Sequence, residues 1–146
     1  MKILRWFIVA LFILGLILVR KFQTELFYDP LLEYFHQDFL NIDFPHIDVA
    51  KHFGSIALRY FINSLLSLGI IWFIFLDKKV VKFSAIILAF FFFIFLAPYY
   101  YFIATEFSQF YTAGFYVRRL LIQPVMLLIL IPAIWYWKNQ KLVKSA

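Results

Sequence analysis

The chain contains no cysteine among its 146 residues. Disulfide bonds, thiolate metal ligands and cysteine nucleophiles are therefore excluded from its chemistry. Acidic residues are also scarce, with 8 Asp and Glu against 14 Lys and Arg, and the 4 glycines form no glycine-rich phosphate-binding loop. Charged residues make up 15% of the chain, compared with roughly 25% in a typical soluble domain. The chain therefore lacks several of the residue types and motifs on which enzyme active sites commonly depend.

Apolar and aromatic side chains are abundant instead, at 65% and 23% of the chain. A water-soluble domain of this length could not bury so much apolar surface. We therefore predict an all-α integral membrane protein, because a spanning helix satisfies its own backbone amides and the apolar runs lack the alternation of membrane strands. The net charge of +6 fits the basic inner side of such a protein, and no basic stripe indicates a nucleic-acid partner.

Four apolar stretches approach the length of about 20 residues that a bilayer requires. They predict a single membrane domain over residues 1–146 with spans at about 3–19, 57–76, 83–104 and 120–137. The first stretch lacks a small-x-small cleavage site, so we expect it to be an uncleaved span. Pro124 is expected in the first turn of the fourth span, where its missing N–H costs little.

The segment between the first two spans, residues 20–56, is expected on the outer side. Asp29 and Pro30 form a helix-start signal, an acid at the N-cap followed by proline at the first helical position. Apolar residues then recur at four-residue spacing at Leu31, Phe35 and Phe39, whereas another face carries the polar residues Glu33, Gln37 and Asn41. This pattern predicts an amphipathic helix that lies in the outer membrane interface.

Basic residues predict the orientation. Lys78, Lys79 and Lys82 occupy the short loop between spans two and three, and Lys138, Lys141 and Lys144 follow span four. The positive-inside rule places this loop and both termini in the cytoplasm. Arg20, Lys21, Arg118 and Arg119 lie on the opposite side and run against the rule.

Two arginine–amide pairs are the candidate contact residues for a partner. Arg59 with Asn63, and Arg119 with Gln123, place a cation and an amide one helical turn apart near the outer ends of spans two and four. Ionisable groups at such depth usually face a bundle interior and find partners. The similarity of the two pairs also suggests a weak internal repeat, whereas Arg118 is expected only to snorkel to the interface.

Histidine, aspartate and serine residues offer two other kinds of site. His46, Asp48 and His52 could supply metal ligands, since the last two share a helical face, although zinc requires three or four converging ligands. Ser64 and Ser67 lie within span two without the surroundings of a catalytic serine, and no acidic residue lies inside a span, which argues against a carboxylate-based proton carrier. No cofactor is predicted.

Three stretches together resemble a known family. They are residues 27–35 (FYDPLLEYF), 58–67 (LRYFINSLLS) and 117–124 (VRRLLIQP) continuing to 130–136 (LIPAIWY). They resemble the exosortase F system-associated membrane proteins of flavobacteria and relatives, over nearly the whole chain. The resemblance implies an accessory protein of the bacterial inner membrane beside an exosortase, an enzyme that processes C-terminal sorting tags with a Cys, an Arg and a His. This chain has no Cys, so no catalytic residue is carried over.

The sequence therefore leads to one main expectation and one alternative. The main expectation is a non-catalytic accessory membrane protein whose partner is a membrane protein such as an exosortase, bound within the lipid bilayer. The alternative is a small multi-pass transporter or channel component, in which Arg59, Asn63, Gln123 and Pro132 would be accessible to water.

Overall fold

The computed structural model describes residues 1–36, 43–109 and 111–145. Helices are the only regular structure in these ranges, as predicted. In chain order they are α1 (Lys2–Lys21), α2 (Gln23–Leu26), α3 (Pro30–His36), α4 (Val49–Phe75), α5 (Lys78–Ala104), α6 (Tyr111–Ile122) and α7 (Val125–Ser145).

Acidic residues set the starts of the two longest helices. The Asp48 carboxylate accepts a hydrogen bond from the Lys51 backbone N–H at 3.2 Å at the start of α4, and Asp77 accepts one from Lys79 N–H at 2.9 Å at the start of α5. These side chains satisfy amides that have no partner within the helix. Leu76 ends α4 in the left-handed conformation, with φ of 51°. Since only Leu76 and Asp77 separate the helices, α4 and α5 form a tight hairpin.

Three helices are long and apolar enough to cross a bilayer, namely α1, α4 and α5. The first and third of these helices cover the residues of the predicted spans 3–19 and 83–104, and their helical ends extend to Lys2–Lys21 and Lys78–Ala104. The helix over the predicted span 57–76 starts eight residues earlier, at Val49. Apolarity alone marks the spanning portion of a helix, whereas the capping acids outside the apolar stretch decide where the helix begins.

The fourth predicted span, 120–137, is not one continuous helix in the structure. The chain is broken at Gln123 and Pro124, and α6 and α7 meet there at an angle of 67°. Together the two helices pass as a fourth candidate span. Pro124 precedes α7 instead of lying in the first turn of a longer helix, because proline cannot donate the backbone hydrogen bond that would continue α6.

The outer segment 20–56 contains part of the predicted amphipathic helix. A helix does begin at Pro30, with Leu31 fully buried and Glu33 exposed, but its described part ends at His36. Gln37, Phe39 and Asn41 lie outside the described residues. The apolar side of α3 packs against the protein, since the Phe35 ring lies 5.3 Å from that of Phe107 and 5.5 Å from that of Phe115. Placement of this helix in the outer membrane interface stays a prediction.

Buried side chains form two cores. The upper core joins α3 to the ends of α4, α5 and α6 and consists of Leu31, Ile47, Ile56, Tyr99, Phe102, Ile103, Phe107, Leu121 and Ile122. The lower core joins α1, α4, α5 and α7 and consists of Val9, Ile70, Ile71, Val80, Leu88, Met126, Leu127, Leu130 and Ile134. Outside them, large apolar side chains such as Phe7, Phe90 and Leu128 are more than half exposed, which is typical of a protein surrounded by hydrocarbon.

Candidate functional site

The polar centre of the molecule is a buried cluster of one acid and two arginines. Asp29 Oδ2 lies 3.3 Å from Arg59 Nη1 and 2.5 Å from Arg118 Nη2, and all three side chains are at most 5% exposed. Asp29 directly precedes α3, Arg59 lies in α4 and Arg118 in α6. The cluster therefore ties together three elements that are far apart in the sequence. Two guanidinium groups share one carboxylate, so the ion pairs among the described residues leave the cluster with one excess positive charge.

Aromatic rings and an amide complete the surroundings of the two arginines. The Arg59 guanidinium lies 5.3 Å from the centroid of the Phe27 ring, and that of Arg118 lies 5.4 Å from the centroid of Phe35. Such contacts favour a cation more strongly where water is excluded. Arg59 Nη2 also donates a hydrogen bond to Gln23 Oε1. Within the described ranges, Arg59 Nε, Arg118 Nε and Asp29 Oδ1 have no hydrogen-bond partner.

Asn63 lies one helical turn below Arg59 and contacts the break between α6 and α7. Its Nδ2 donates to the carbonyl oxygen of Ile122 at 3.0 Å. Ile122 is the last residue of α6, so its carbonyl has lost the amide partner that an unbroken helix would supply. A buried carbonyl without a partner costs about 1–3 kcal/mol. The amide that the sequence singled out on α4 therefore stabilises the broken helix beside it.

The four predicted contact residues occupy two different environments. Arg59 and Asn63 are buried at 3% and 6% exposure. Arg119 is exposed and donates from Nε to Oε1 of the half-buried Gln123 at 3.0 Å. The two pairs are thus not structurally equivalent, which contradicts the suggested internal repeat at this point. Their role as contacts for a partner stays a prediction.

The position of Arg118 in the structure differs from the one expected from the sequence. It was expected to snorkel, but it is 4% exposed and paired with Asp29. Neighbouring residues on a helix point about 100° apart, so the tandem Arg118-Arg119 has one member facing inward and one outward. Sequence reasoning also missed Asp29 as an ion-pair partner, because it assigned that acid to the N-cap of α3. Its carboxylate instead contacts the arginines.

The three residues of the metal hypothesis do not converge. Asp48 caps α4, and His46 is exposed. His52 is fully buried, and its Nε2 shares a hydrogen bond with Tyr99 Oη at 2.9 Å. Across the part of the chain that the structure describes, no three His, Asp or Glu side chains are grouped closely enough to hold a metal ion. His52 therefore has a packing partner in the upper core.

A long apolar groove runs between α5 and α7, with a volume of about 870 Å³. On α5 it is lined by Lys79 and Val80 in the first turn and then, at every fourth position, by Phe83, Ile87, Phe91 and Phe95. The α7 side is lined by Met126, Ile129, Leu130, Ala133, Ile134 and Trp137. Met126, Leu130 and Ile134 are buried, whereas Phe83, Ile129 and Trp137 are more than half exposed. The buried residues therefore form the base of the groove, and exposed apolar side chains line its edges.

No family model matches this chain, and neither a curated protein nor a solved structure matches it. The class of the molecule therefore follows from its own features, which are an all-helical fold in the described residues with three or four helices apolar enough to cross a membrane.

Proposed function

We propose that this chain is a non-catalytic membrane protein that binds a helix of a partner membrane protein within the bilayer. In this proposal α1, α4, α5 and the broken pair α6–α7 lie in the bacterial inner membrane with both termini in the cytoplasm. The observation that carries it is the groove between α5 and α7. The resemblance of the sequence to exosortase F system-associated proteins favours an exosortase as the partner.

The shape of the groove supports a helix as its occupant. Residues four positions apart on an α-helix form a ridge, and two helices pack when the ridges of one fit the grooves of the other. Phe83, Ile87, Phe91 and Phe95 form such a ridge over 12 residues, a length of about 18 Å at 1.5 Å per residue. Within the groove, the small side chain of Ala133 leaves space for close approach of a second backbone.

The test is a pull-down of the tagged protein from its native membrane in a gentle detergent, followed by mass spectrometry. We expect recovery of a polytopic enzyme that carries a Cys, an Arg and a His. Ala133→Trp, which fills the groove, should abolish the recovery. Phe90→Ala is the matched control, because Phe90 is adjacent to the groove residue Phe91 but 61% exposed on another face of α5.

Cross-linking locates the contact, since a single introduced cysteine is unique in this chain. Ile87→Cys and Phe91→Cys lie in the groove, whereas Ile86→Cys and Phe90→Cys repeat the same four-residue spacing on the exposed face. Cross-links from the groove pair alone would support the proposal. Equal cross-linking from both pairs, or recovery of the protein without a partner, would contradict it.

The second candidate, a transporter or channel component, is favoured by the polar residues that face the interior. His52, Arg59, Asn63 and Ser67 lie on the buried side of α4. Each of the four is at most 6% exposed, and Arg59 and Asn63 are bound to protein groups. Labelling of single cysteines at 63 and 67 by a water-soluble maleimide would support a water-filled path, and complete protection of both would reject it.

A further inference from the structure

A second pocket lies where α1, α4 and the α6–α7 break meet. It has a volume of about 180 Å³ and is separate from the α5–α7 groove. Its polar lining consists of Arg20, Gln23, Arg59, Asn63 and Gln123. Ile13, Leu16 and Ile17 of α1 form an apolar part of the wall, together with Ile122 and Pro124. This outer pocket is therefore polar on one side and apolar on another.

The two arginines and the two glutamines of the outer pocket offer hydrogen-bond donors. Gln23 Oε1 already accepts from Arg59, and Gln123 Oε1 already accepts from Arg119. The amide NH₂ groups of both glutamines consequently remain as donors. Arg59 Nε–H has no partner among the described residues, although the side chain is only 4% exposed. Of the described residues that line the pocket, none is acidic.

The charge of the residues around the outer pocket also favours an anionic ligand. The buried cluster behind the pocket holds two guanidinium groups on the single carboxylate of Asp29. Arg20 adds a third arginine at the rim, where its side chain is exposed. An uncompensated buried charge is costly, and arginine forks match the geometry of phosphate oxygens. An anion in the outer pocket would neutralise this excess.

The position along α4 suggests which anion. Arg59 lies 16 residues before Phe75, the end of α4, which corresponds to about 24 Å. The hydrocarbon core is about 30 Å thick. With Phe75 at the inner boundary, as the proposed function places it, Arg59 lies about 6 Å inside the outer boundary, within reach of lipid headgroups. The apolar wall on α1 continues from there toward the bilayer centre.

We propose that the outer pocket binds a phosphate group, carried by a phospholipid whose acyl chain follows the apolar wall of α1. The inference depends on the membrane placement in the proposed function, but it needs no partner protein. Arg20, Arg59, Gln23 and Gln123 donate hydrogen bonds to the phosphate oxygens. Free phosphate offers the same oxygens without the chain.

The experiment titrates the purified, delipidated full chain in detergent and measures binding by native mass spectrometry. The probes are dioleoyl phosphatidylglycerol, dioleoylglycerol with the same chains but no phosphate, and inorganic phosphate. We expect binding of phosphatidylglycerol alone. Equal binding of inorganic phosphate would assign the site to the free ion, and equal binding of dioleoylglycerol would overturn the proposal.

Variants locate the site. Arg20→Gln should weaken phosphatidylglycerol binding about tenfold, the effect of one hydrogen bond to a charged group. The control is Lys21→Gln, which removes the same charge from the next exposed residue, outside the pocket. Gln123→Leu should weaken binding without changing net charge. Equal losses for Arg20→Gln and Lys21→Gln would overturn the proposal, since they would reflect surface charge in general.

Discussion

Asp29 is the residue whose role depends most on distant parts of the chain. It lies 30 residues from Arg59 and 89 residues from Arg118 in sequence, yet it pairs with both in a buried cluster. Removal of one member from a buried ion pair is more harmful than absence of the pair, because a desolvated charge then has no counter-charge. Asp29 is the shared counter-charge, so its loss leaves two arginines unpaired.

We predict that Asp29→Asn lowers the free energy of unfolding by about 3–5 kcal/mol, measured by denaturant unfolding in mixed micelles. Asp43→Asn is the matched control, because Asp43 is exposed, and it should leave the stability nearly unchanged. A double-mutant cycle with Arg118→Gln should show strong non-additivity. Equal stability of Asp29→Asn and the wild type would mean that the cluster contributes no net stabilisation.

The packing around Gly114 leaves no room for a side chain. Gly114 of α6 faces the Phe107 ring, and a Cβ added there would lie 2.3 Å from a ring carbon. Phe107 is 3% exposed and its backbone has φ of 56°, so its ring has little freedom to move. Overpacking of this kind typically costs about 1–3 kcal/mol.

Gly114→Ala should therefore destabilise the protein by about 1–3 kcal/mol. Gly54→Ala is the control within α4, since a Cβ there would meet nothing within 4 Å. It should stabilise the helix by about 0.5–1 kcal/mol, because alanine loses less backbone entropy than glycine. Thermal unfolding of the two variants should thus shift in opposite directions, and a shared direction would contradict the packing described for α6.

The connection between α4 and α5 should respond to pH. Lys138 of α7 lies 3.1 Å from Asp77 and donates to it, and together with the Lys79 backbone N–H it lowers the pKa of the Asp77 carboxyl below its ordinary value. A carboxyl with a lowered folded-state pKa contributes stability above its unfolded-state pKa and loses it as the pH falls through the folded-state value. The contribution is therefore complete at neutral pH.

We predict that the melting temperature falls less steeply with acid for Asp77→Asn than for the wild type below about pH 4. Asn retains an oxygen acceptor for the helix cap but removes the ion pair with Lys138. Asp77→Ala removes both interactions and should melt at a lower temperature than Asp77→Asn at neutral pH. Parallel pH profiles for Asp77→Asn and the wild type would show that Lys138 and Asp77 are not coupled.

At the scale of the whole molecule, charged residues lie toward the two ends and apolar surface lies between them. Lys78, Lys79 and Lys138 gather near the α4–α5 connection, whereas Asp29 and Asp43 lie toward the other end. The exposed apolar faces of α1, α5 and α7 connect the two ends. With the positive-inside rule, this arrangement favours cytoplasmic placement of the lysine-rich end.

Single-cysteine labelling in intact cells should test that orientation. We predict that Asp43→Cys reacts with a membrane-impermeant maleimide from outside, and that Lys78→Cys reacts only after the membrane is permeabilised. Asp43 and Lys78 are both exposed in the folded protein, and the exposed Lys79 offers a second inner position as Lys79→Cys. The reversed pattern would invert the proposed topology.

The helical fold class and the approximate positions of the helices could be predicted from the sequence. In hydrocarbon, the backbone of each span must form its hydrogen bonds within that span. Three predicted spans correspond to α1, α4 and α5 for that reason. The fourth was predicted only in part. Proline at position 124 permitted either a first turn or a break, and the contacts of Asn63 with Ile122 and of Arg118 with Asp29 select the break.

The sequence by itself determined that the protein is helical, apolar and basic overall, since composition and local periodicity carry that information. Only the tertiary structure decided which arginine of the tandem pair is buried, that Asp29 is its counter-charge, and that Arg59, Asn63 and Gln123 line one pocket. These outcomes depend on how helices pack across 30 to 89 residues of sequence. No local pattern specifies such packing, because an apolar helix offers many nearly equivalent faces to its neighbours.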